Sequence, residues 1–204
     1  MMVNVVVQTA FLGDVLLSIP LLKKIKALYP LMDLILVCRR GVGDFFIKTG
    51  LVQQVLEVEK NQSSSYKKAL AELQTKDIYH LVAPHESFRT AVFCWQLKAK
   101  NKTSFSQPWS FLFFQQRIKK NKLWPEALRQ LSLVQDLDSQ LKQNLQSVKN
   151  KTYTDFVESK LQKVQLEPVP PWASMSLKNF FADLDTPVRL FKKYKKTVLL
   201  FPGS

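Results

Sequence analysis

Runs of apolar residues alternate with helical periodicity along the first hundred positions. Residues 3–9 (Val-Asn-Val-Val-Val-Gln-Thr) predict a buried strand, 10–14 a short turn at a glycine, and 15–29 an amphipathic helix closed by Pro30. Residues 34–38 are wholly apolar, as expected of a parallel strand covered on both faces. A loop at 41–44 and a short helix at 45–48, stopped by Gly50, lead to an alternating third strand at 54–58. Ser63, Ser64 and Ser65 offer an N-cap for a helix at 66–74. A fourth strand at 77–82, a helix from about Ser87 to Leu97 and a fifth strand within 98–105 follow. Repeated strand-then-helix units predict an α/β protein with a doubly wound parallel sheet, Rossmann-like, joined by right-handed crossovers.

The second half adds helices. Residues 125–144 carry Leu128, Leu131, Leu133, Val134, Leu137 and Leu141 at helical spacing and predict one long helix, with another at 154–164. Residues 167–172 (Glu-Pro-Val-Pro-Pro-Trp) form a stiff connector, and 196–201 a further strand ending in Pro202-Gly203-Ser204. The expected division is therefore a first domain over 1–172, with 173–204 as a linker and the first strand of a second, truncated domain.

Composition narrows the partners. Of 204 residues, 46% are hydrophobic, enough for a packed core. Thirty Lys and Arg against sixteen Asp and Glu leave a net charge of +14, which fits an anionic partner or a merely solvated basic surface. Cys38 and Cys94 each sit among apolar neighbours and read as buried thiols, which suits a reducing, cytoplasmic setting. No run of eighteen apolar residues is present. Residues 109–114 (Trp-Ser-Phe-Leu-Phe-Phe) precede Arg117, Lys119, Lys120 and Lys122. That pairing reads either as a helix with a buried aromatic face or as a dock on an anionic bilayer.

Candidate chemistry concentrates at Asp14. A carboxylate in the first turn of a helix, at the carboxyl end of a strand, is stabilised in its ionised form by the helix dipole. There it can act as a general base, or simply cap. His80, His85 and the two cysteines lack metal-ligand spacing. His85 beside Glu86 reads as an acid–base pair or as polar loop residues. Gly41-Val42-Gly43 lacks the third glycine of a dinucleotide fingerprint, and residues 192–196 form a basic run before the last strand.

Residues 8–22, with Leu12-Gly13-Asp14-Val15-Leu16 and then Pro20, resemble the opening of the family 9 glycosyltransferases, the lipopolysaccharide heptosyltransferases. Pro84-His85-Glu86-Ser87-Phe88-Arg89 is similar to that family's loop after the fourth strand, and Phe201-Pro202-Gly203-Ser204 to the strand opening its donor domain. Gln8 departs from the family's usual Arg or Lys. The resemblance implies one half of a two-domain, B-type, metal-independent inverting glycosyltransferase, moving heptose from ADP-heptose to an acidic core sugar. It implies Asp14 as the base, Gly13, Ser87 and Arg89 at the acceptor, and Ser204 near the donor phosphates. It further implies a nucleotide sugar as co-substrate without other cofactor or metal, an anionic glycolipid acceptor, the inner-membrane surface as a peripheral partner, and no nucleic acid. With the donor domain cut short, the chain alone is expected to transfer little or no sugar. The alternative is a non-catalytic module that binds an anionic glycolipid or nucleic acid.

Overall fold

The computed structural model describes residues 2–151. The elements are β1 (Met2–Gln8), α1 (Leu12–Leu16), α2 (Ile19–Leu28), β2 (Asp33–Arg39), α3 (Asp44–Lys48) and β3 (Gln54–Val58). They continue as α4 (Ser63–Gln74), β4 (Asp77–Ala83), α5 (Phe88–Trp95), β5 (Ala99–Phe105), β6 (Gln116–Ile118), α6 (Glu126–Leu131) and α7 (Ser139–Ser147). All six strands are parallel, in the order β3-β2-β1-β4-β5-β6. This is the doubly wound α/β sheet expected from the sequence.

Alternation along β1 divides the core. Val3, Val5 and Val7 face one layer, with Ala69 and Leu73 of α4 and Ala91, Phe93 and Cys94 of α5. Val6 faces the other, with Val15 of α1, Leu21, Leu22 and Ile25 of α2, and Leu133 and Val134. Both faces of the sheet are thus covered, which is why the strands read as continuous apolar runs. Cys38 and Cys94 are free, buried and on opposite faces; burial pushes the Cys38 thiol up to about 12.

Several helix boundaries differ from the sequence reading. The helix expected over 15–29 begins earlier and is broken in two. Residues 12–14 belong to α1 rather than to a turn, and Gly13 has no positive φ. The break lies at Leu17 and Ser18, because Pro20 has no N–H to donate back to Leu16; Ser18 Oγ instead donates to the Val15 carbonyl at 2.5 Å. The helix after β3 starts at Ser63, with Gln62 at the N-cap position but making no side-chain capping bond, while Ser65 Oγ turns back to accept from the Glu59 N–H at 2.9 Å. The long helix of 125–144 is three pieces: α6, a 3₁₀ stretch Ser132–Leu137 and α7. Asp138 restarts the chain as the N-cap of α7, accepting from the Leu141 N–H at 3.0 Å. A hydrogen bond from Lys24, then that backbone bond, holds the Asp138 carboxyl below the usual range.

The aromatic stretch at 109–114 makes a single 3₁₀ turn, Ser110–Leu112, not a helix. Trp109 and Phe113 stack edge-on with Phe88, Phe114 is buried, and Phe111 and Leu112 remain exposed. Strand β6 had no counterpart in the sequence reading. The helix at 154–164, the connector, the strand at 196–201, the basic run at 192–196 and the expected boundary at 172 lie outside the described residues.

Candidate functional site

The chain runs from β1 outward through β2 and β3, then returns to β4 on the other side of β1. Loops after β1 and β4 therefore diverge and leave a crevice at the carboxyl ends of the strands. A cleft of about 610 Å³ occupies this place. Its walls are residues 8–11 and Asp14, the ends of β2 and β3 at Arg39, Val58 and Lys60, Tyr66, the loop from Pro84 to Ser87 with Arg89, and Lys120 and Glu126.

Three carboxylates reach the cleft, in different conditions. Glu86 is held by Lys120 Nζ on one oxygen and Gln107 Nε2 on the other. Glu126 takes Arg129 Nη2 at 2.9 Å and lies 3.8 Å from Lys120. Asp14 makes no hydrogen bond or ion pair through its side chain among the described residues. Its main chain is fixed instead. Leu17 N donates to the Gly13 carbonyl at 2.9 Å, Val15 is buried in the core, and Gln130 Nε2 donates to the Asp14 carbonyl at 3.2 Å. A rigidly mounted, half-exposed carboxylate without a partner can accept a proton from a ligand hydroxyl.

Beside it runs a hydroxyl–imidazole network. Thr9 Oγ1 lies 2.8 Å from His85 Nδ1 and 3.2 Å from Thr90 Oγ1, and His85 Nδ1 is 3.1 Å from Thr90 Oγ1. Ser87 Oγ caps α5 by accepting from the Thr90 N–H at 3.2 Å, and lies 2.8 Å from Thr90 Oγ1. Burial pushes the His85 imidazolium down from its ordinary value, with the charges of Asp14 and Glu86 opposing in part. The ring is therefore neutral at pH 7.

Cations line the open side. Arg39 lies over the Phe11 ring at 5.5 Å, and Arg89 Nη1 donates to the Lys60 carbonyl. Among the described residues no carboxylate pairs with Arg39, Lys60 or Arg89. Gln8 closes the inner end. It is 2% exposed, and its Oε1 is buried with no hydrogen-bond partner among the described residues.

The fold brings together Asp14, Ser87 and Arg89, three of the residues singled out in the sequence. Gly13 is not among the residues that line the cleft, and a Cβ there would meet nothing within 4 Å. Ser204 lies outside the described residues. Lys120, grouped in the sequence with the basic residues after the aromatic stretch, is half-buried between Glu86 and Glu126. Thr9, Thr90, Lys120 and Glu126 carry no local signal, because their partners are far away in sequence. The Gly41-Val42-Gly43 loop is occupied from within: the N–H groups of Gly41 and Gly43 both donate to Glu57 Oε1 at 3.0 Å. Among the described residues no group of three His, Cys, Asp or Glu side chains is placed to hold a metal, and no helix is long and apolar enough to cross a membrane.

Solved structures share this architecture. The E. coli heptosyltransferase WaaC with ADP superposes with a TM-score of 0.58 at 18% identity, over 67% of this chain and 47% of that one. The Veillonella parvula protein described as glycosyl transferase family 9 gives 0.59 at 19%, over 66% and 41%. E. coli ADP-heptose lps heptosyltransferase II gives 0.54 at 16%, over 64% and 39%. The chain has their fold. It spans less than half the length of each. No family model matches the chain, and no curated protein matches it in sequence. Residues 8–22, which carry the likeness to the heptosyltransferase opening, run from the last residue of β1 through α1 into the first turn of α2.

Proposed function

We propose that this chain is the acceptor-binding part of an inverting, metal-independent glycosyltransferase. In this reading the cleft at the β1–β4 crossover takes an anionic sugar acceptor, and Asp14 removes the proton from the attacking hydroxyl. The oxygen then attacks the anomeric carbon of a nucleotide sugar such as ADP-heptose, and the nucleotide leaves with the bonding pair. The observation that carries the reading is the state of Asp14: of the three cleft carboxylates it alone has no partner among the described residues. Glu86 and Glu126 are already engaged by Lys120 and Arg129.

Arg39, Lys60 and Arg89 suit the acidic groups of such an acceptor, since a guanidinium fork matches carboxylate or phosphate oxygens two at a time. His85, neutral and anchored by Thr9 and Thr90, serves to fix the wall beside Asp14. An anionic glycolipid is the acceptor class this reading favours, with the membrane surface as its source.

The test has two arms. Binding of a phosphorylated lipopolysaccharide core oligosaccharide to the chain, followed by calorimetry, is expected to need the saccharide and to survive moderate salt. Affinity that collapses with salt and ignores the sugar would support the module reading with nucleic acid as ligand. In a fusion that supplies a nucleotide-binding domain, transfer from ADP-heptose is expected to fall at least about 100-fold with Asp14→Asn, the usual contribution of a general base. Transfer unaffected by that substitution removes the base assignment.

A further inference from the structure

Glu126 is out of keeping with its surroundings. It adds a negative charge to the wall of a cleft whose open side carries Arg39, Lys60 and Arg89. As the first residue of α6 it gains from the helix dipole, but that gain needs no place in the cleft. Its two oxygens are turned into the protein. Oε2 takes Arg129 Nη2, three positions on, at 2.9 Å and lies 3.8 Å from Lys120 Nζ. Oε1 takes Gln130 Nε2, four positions on, at 3.4 Å. The same Gln130 nitrogen donates to the Asp14 carbonyl at 3.2 Å. Both of these partners only accept, so the amide is set with its nitrogen toward them. Its own oxygen is thereby left buried with no partner among the described residues.

The Asp14 carbonyl needs that donor. In an unbroken helix it would receive the Ser18 N–H, but that N–H goes to the Val15 carbonyl at 3.1 Å, where the chain breaks before Pro20. Helix α1 is five residues long, and Phe11 at its N-cap makes no side-chain capping bond. So short a helix has little stability of its own. Gln130, wholly buried, joins it to α6.

We propose that Glu126 and Gln130 are positioning residues for the reaction. Gln130 holds the backbone of Asp14, and Glu126 aligns the Gln130 amide, so that the Asp14 carboxylate keeps one place relative to the acceptor hydroxyl. Lys120, which also pairs with Glu86, carries the same chain of contacts to the loop after β4, where Ser87 and Arg89 line the cleft. The base and that loop are thereby held at a fixed spacing. Neither Glu126 nor Gln130 takes part in the proton transfer. Their role rests on Asp14 being the base.

Gln130→Met keeps length and removes the donor. In the full chain, the carbonyl carbon shift of Asp14, read by NMR, is expected to move upfield in Gln130→Met, and in the same direction by less in Glu126→Ala. A shift that stays put in either variant overturns the proposal. In the fusion that supplies a nucleotide-binding domain, Gln130→Met is expected to lower kcat about 10- to 100-fold with the acceptor KM within about twofold, as when a catalytic group is misplaced by up to an ångström. In an Asp14→Asn background the same substitution is expected to cost less than about twofold, because the group it positions is gone. Should Gln130→Met fail to fold, Glu126→Ala supplies the same comparison with a loss of at least about threefold. Equal losses in both backgrounds, or a rise in KM with kcat unchanged, overturn the positioning role. Asp14→Asn that lowers transfer while Gln130→Met does not overturns that role alone and leaves the base reading standing. Asp14→Asn without effect strikes the base reading, and the positioning role falls with it.

Discussion

Two glycine-bearing loops leave the same edge of the sheet and end differently. After β2, Gly41-Val42-Gly43 points its N–H groups at the Glu57 carboxylate, and the two satisfy each other. After β1, Leu12-Gly13-Asp14 winds into a short helix whose carboxylate meets no side-chain or backbone donor among the described residues. The ingredients are alike: glycine, a strand end, an acid. What separates a structural loop from a candidate site is whether the acid's partner comes from the chain itself.

The largest expected effect tests the open side of this contrast. Asp14→Asn, which costs transfer at least about 100-fold in the fusion described above, should leave the thermal midpoint within about a degree, because no hydrogen bond or ion pair among the described residues depends on the charge. A midpoint that drops by several degrees would show that Asp14 is structural after all.

Gly43→Ala tests the closed side. A Cβ there would enter the contact shell of the branched, stiff Val55 side chain and lie 3.0 Å from Glu57 Oε1, the atom that holds the loop. Loss of about 1–3 kcal/mol is expected in denaturant unfolding, with affinity for the core oligosaccharide unchanged. A neutral outcome would mean that the β2 loop is free to move aside.

Acid should weaken the protein through the β4 side. Burial lowers the pKa of both His80 and His85 from 6.5. The unfolded chain therefore binds more protons than the native one just below that value, and stability is fully present above it and falls as pH drops toward the native pKa values. Denaturant midpoints at pH 7 and pH 5 should show the loss. His80→Phe, which keeps a ring against Tyr29 and Tyr79, should make it shallower; an unaltered slope would remove His80 as a source.

The smallest effect separates helix from ligand contact at Gly13. With open space around its Cβ position and an ordinary helical backbone, Gly13→Ala should stabilise by about 0.5–1 kcal/mol. Weaker binding of the core oligosaccharide with that gain in stability would assign Gly13 to the acceptor site, as the family resemblance implies. Unchanged binding would confine it to α1.

The sheet was legible because burial on both faces writes itself as unbroken apolar runs, as in residues 34–38. Strand β6 was not, since only Ile118 of its three residues is buried and its pairing depends on Thr103, Ser104 and Phe105. Helix ends were misread where a polar side chain intervenes locally, at Ser18 with Pro20 and at Asp138, because periodicity runs straight through such breaks. In the site, Asp14, Ser87 and Arg89 could be singled out since each lies in a motif. The ion-pair chain from Glu86 through Lys120 to Glu126 joins residues 34 and 6 positions apart, and only tertiary folding shows it. Gln8 was noticed as a departure, while its unpaired oxygen could be seen only in three dimensions.

The hydrogen bond from Gln130 to the Asp14 carbonyl spans 116 positions of sequence. It ties the short helix bearing the acid to the helical layer of the second half, across a boundary that no local motif records. Grafting those later helices from a distant relative would therefore re-aim the acid even if every residue of the amino-terminal motif were kept, so the two segments should change together during divergence.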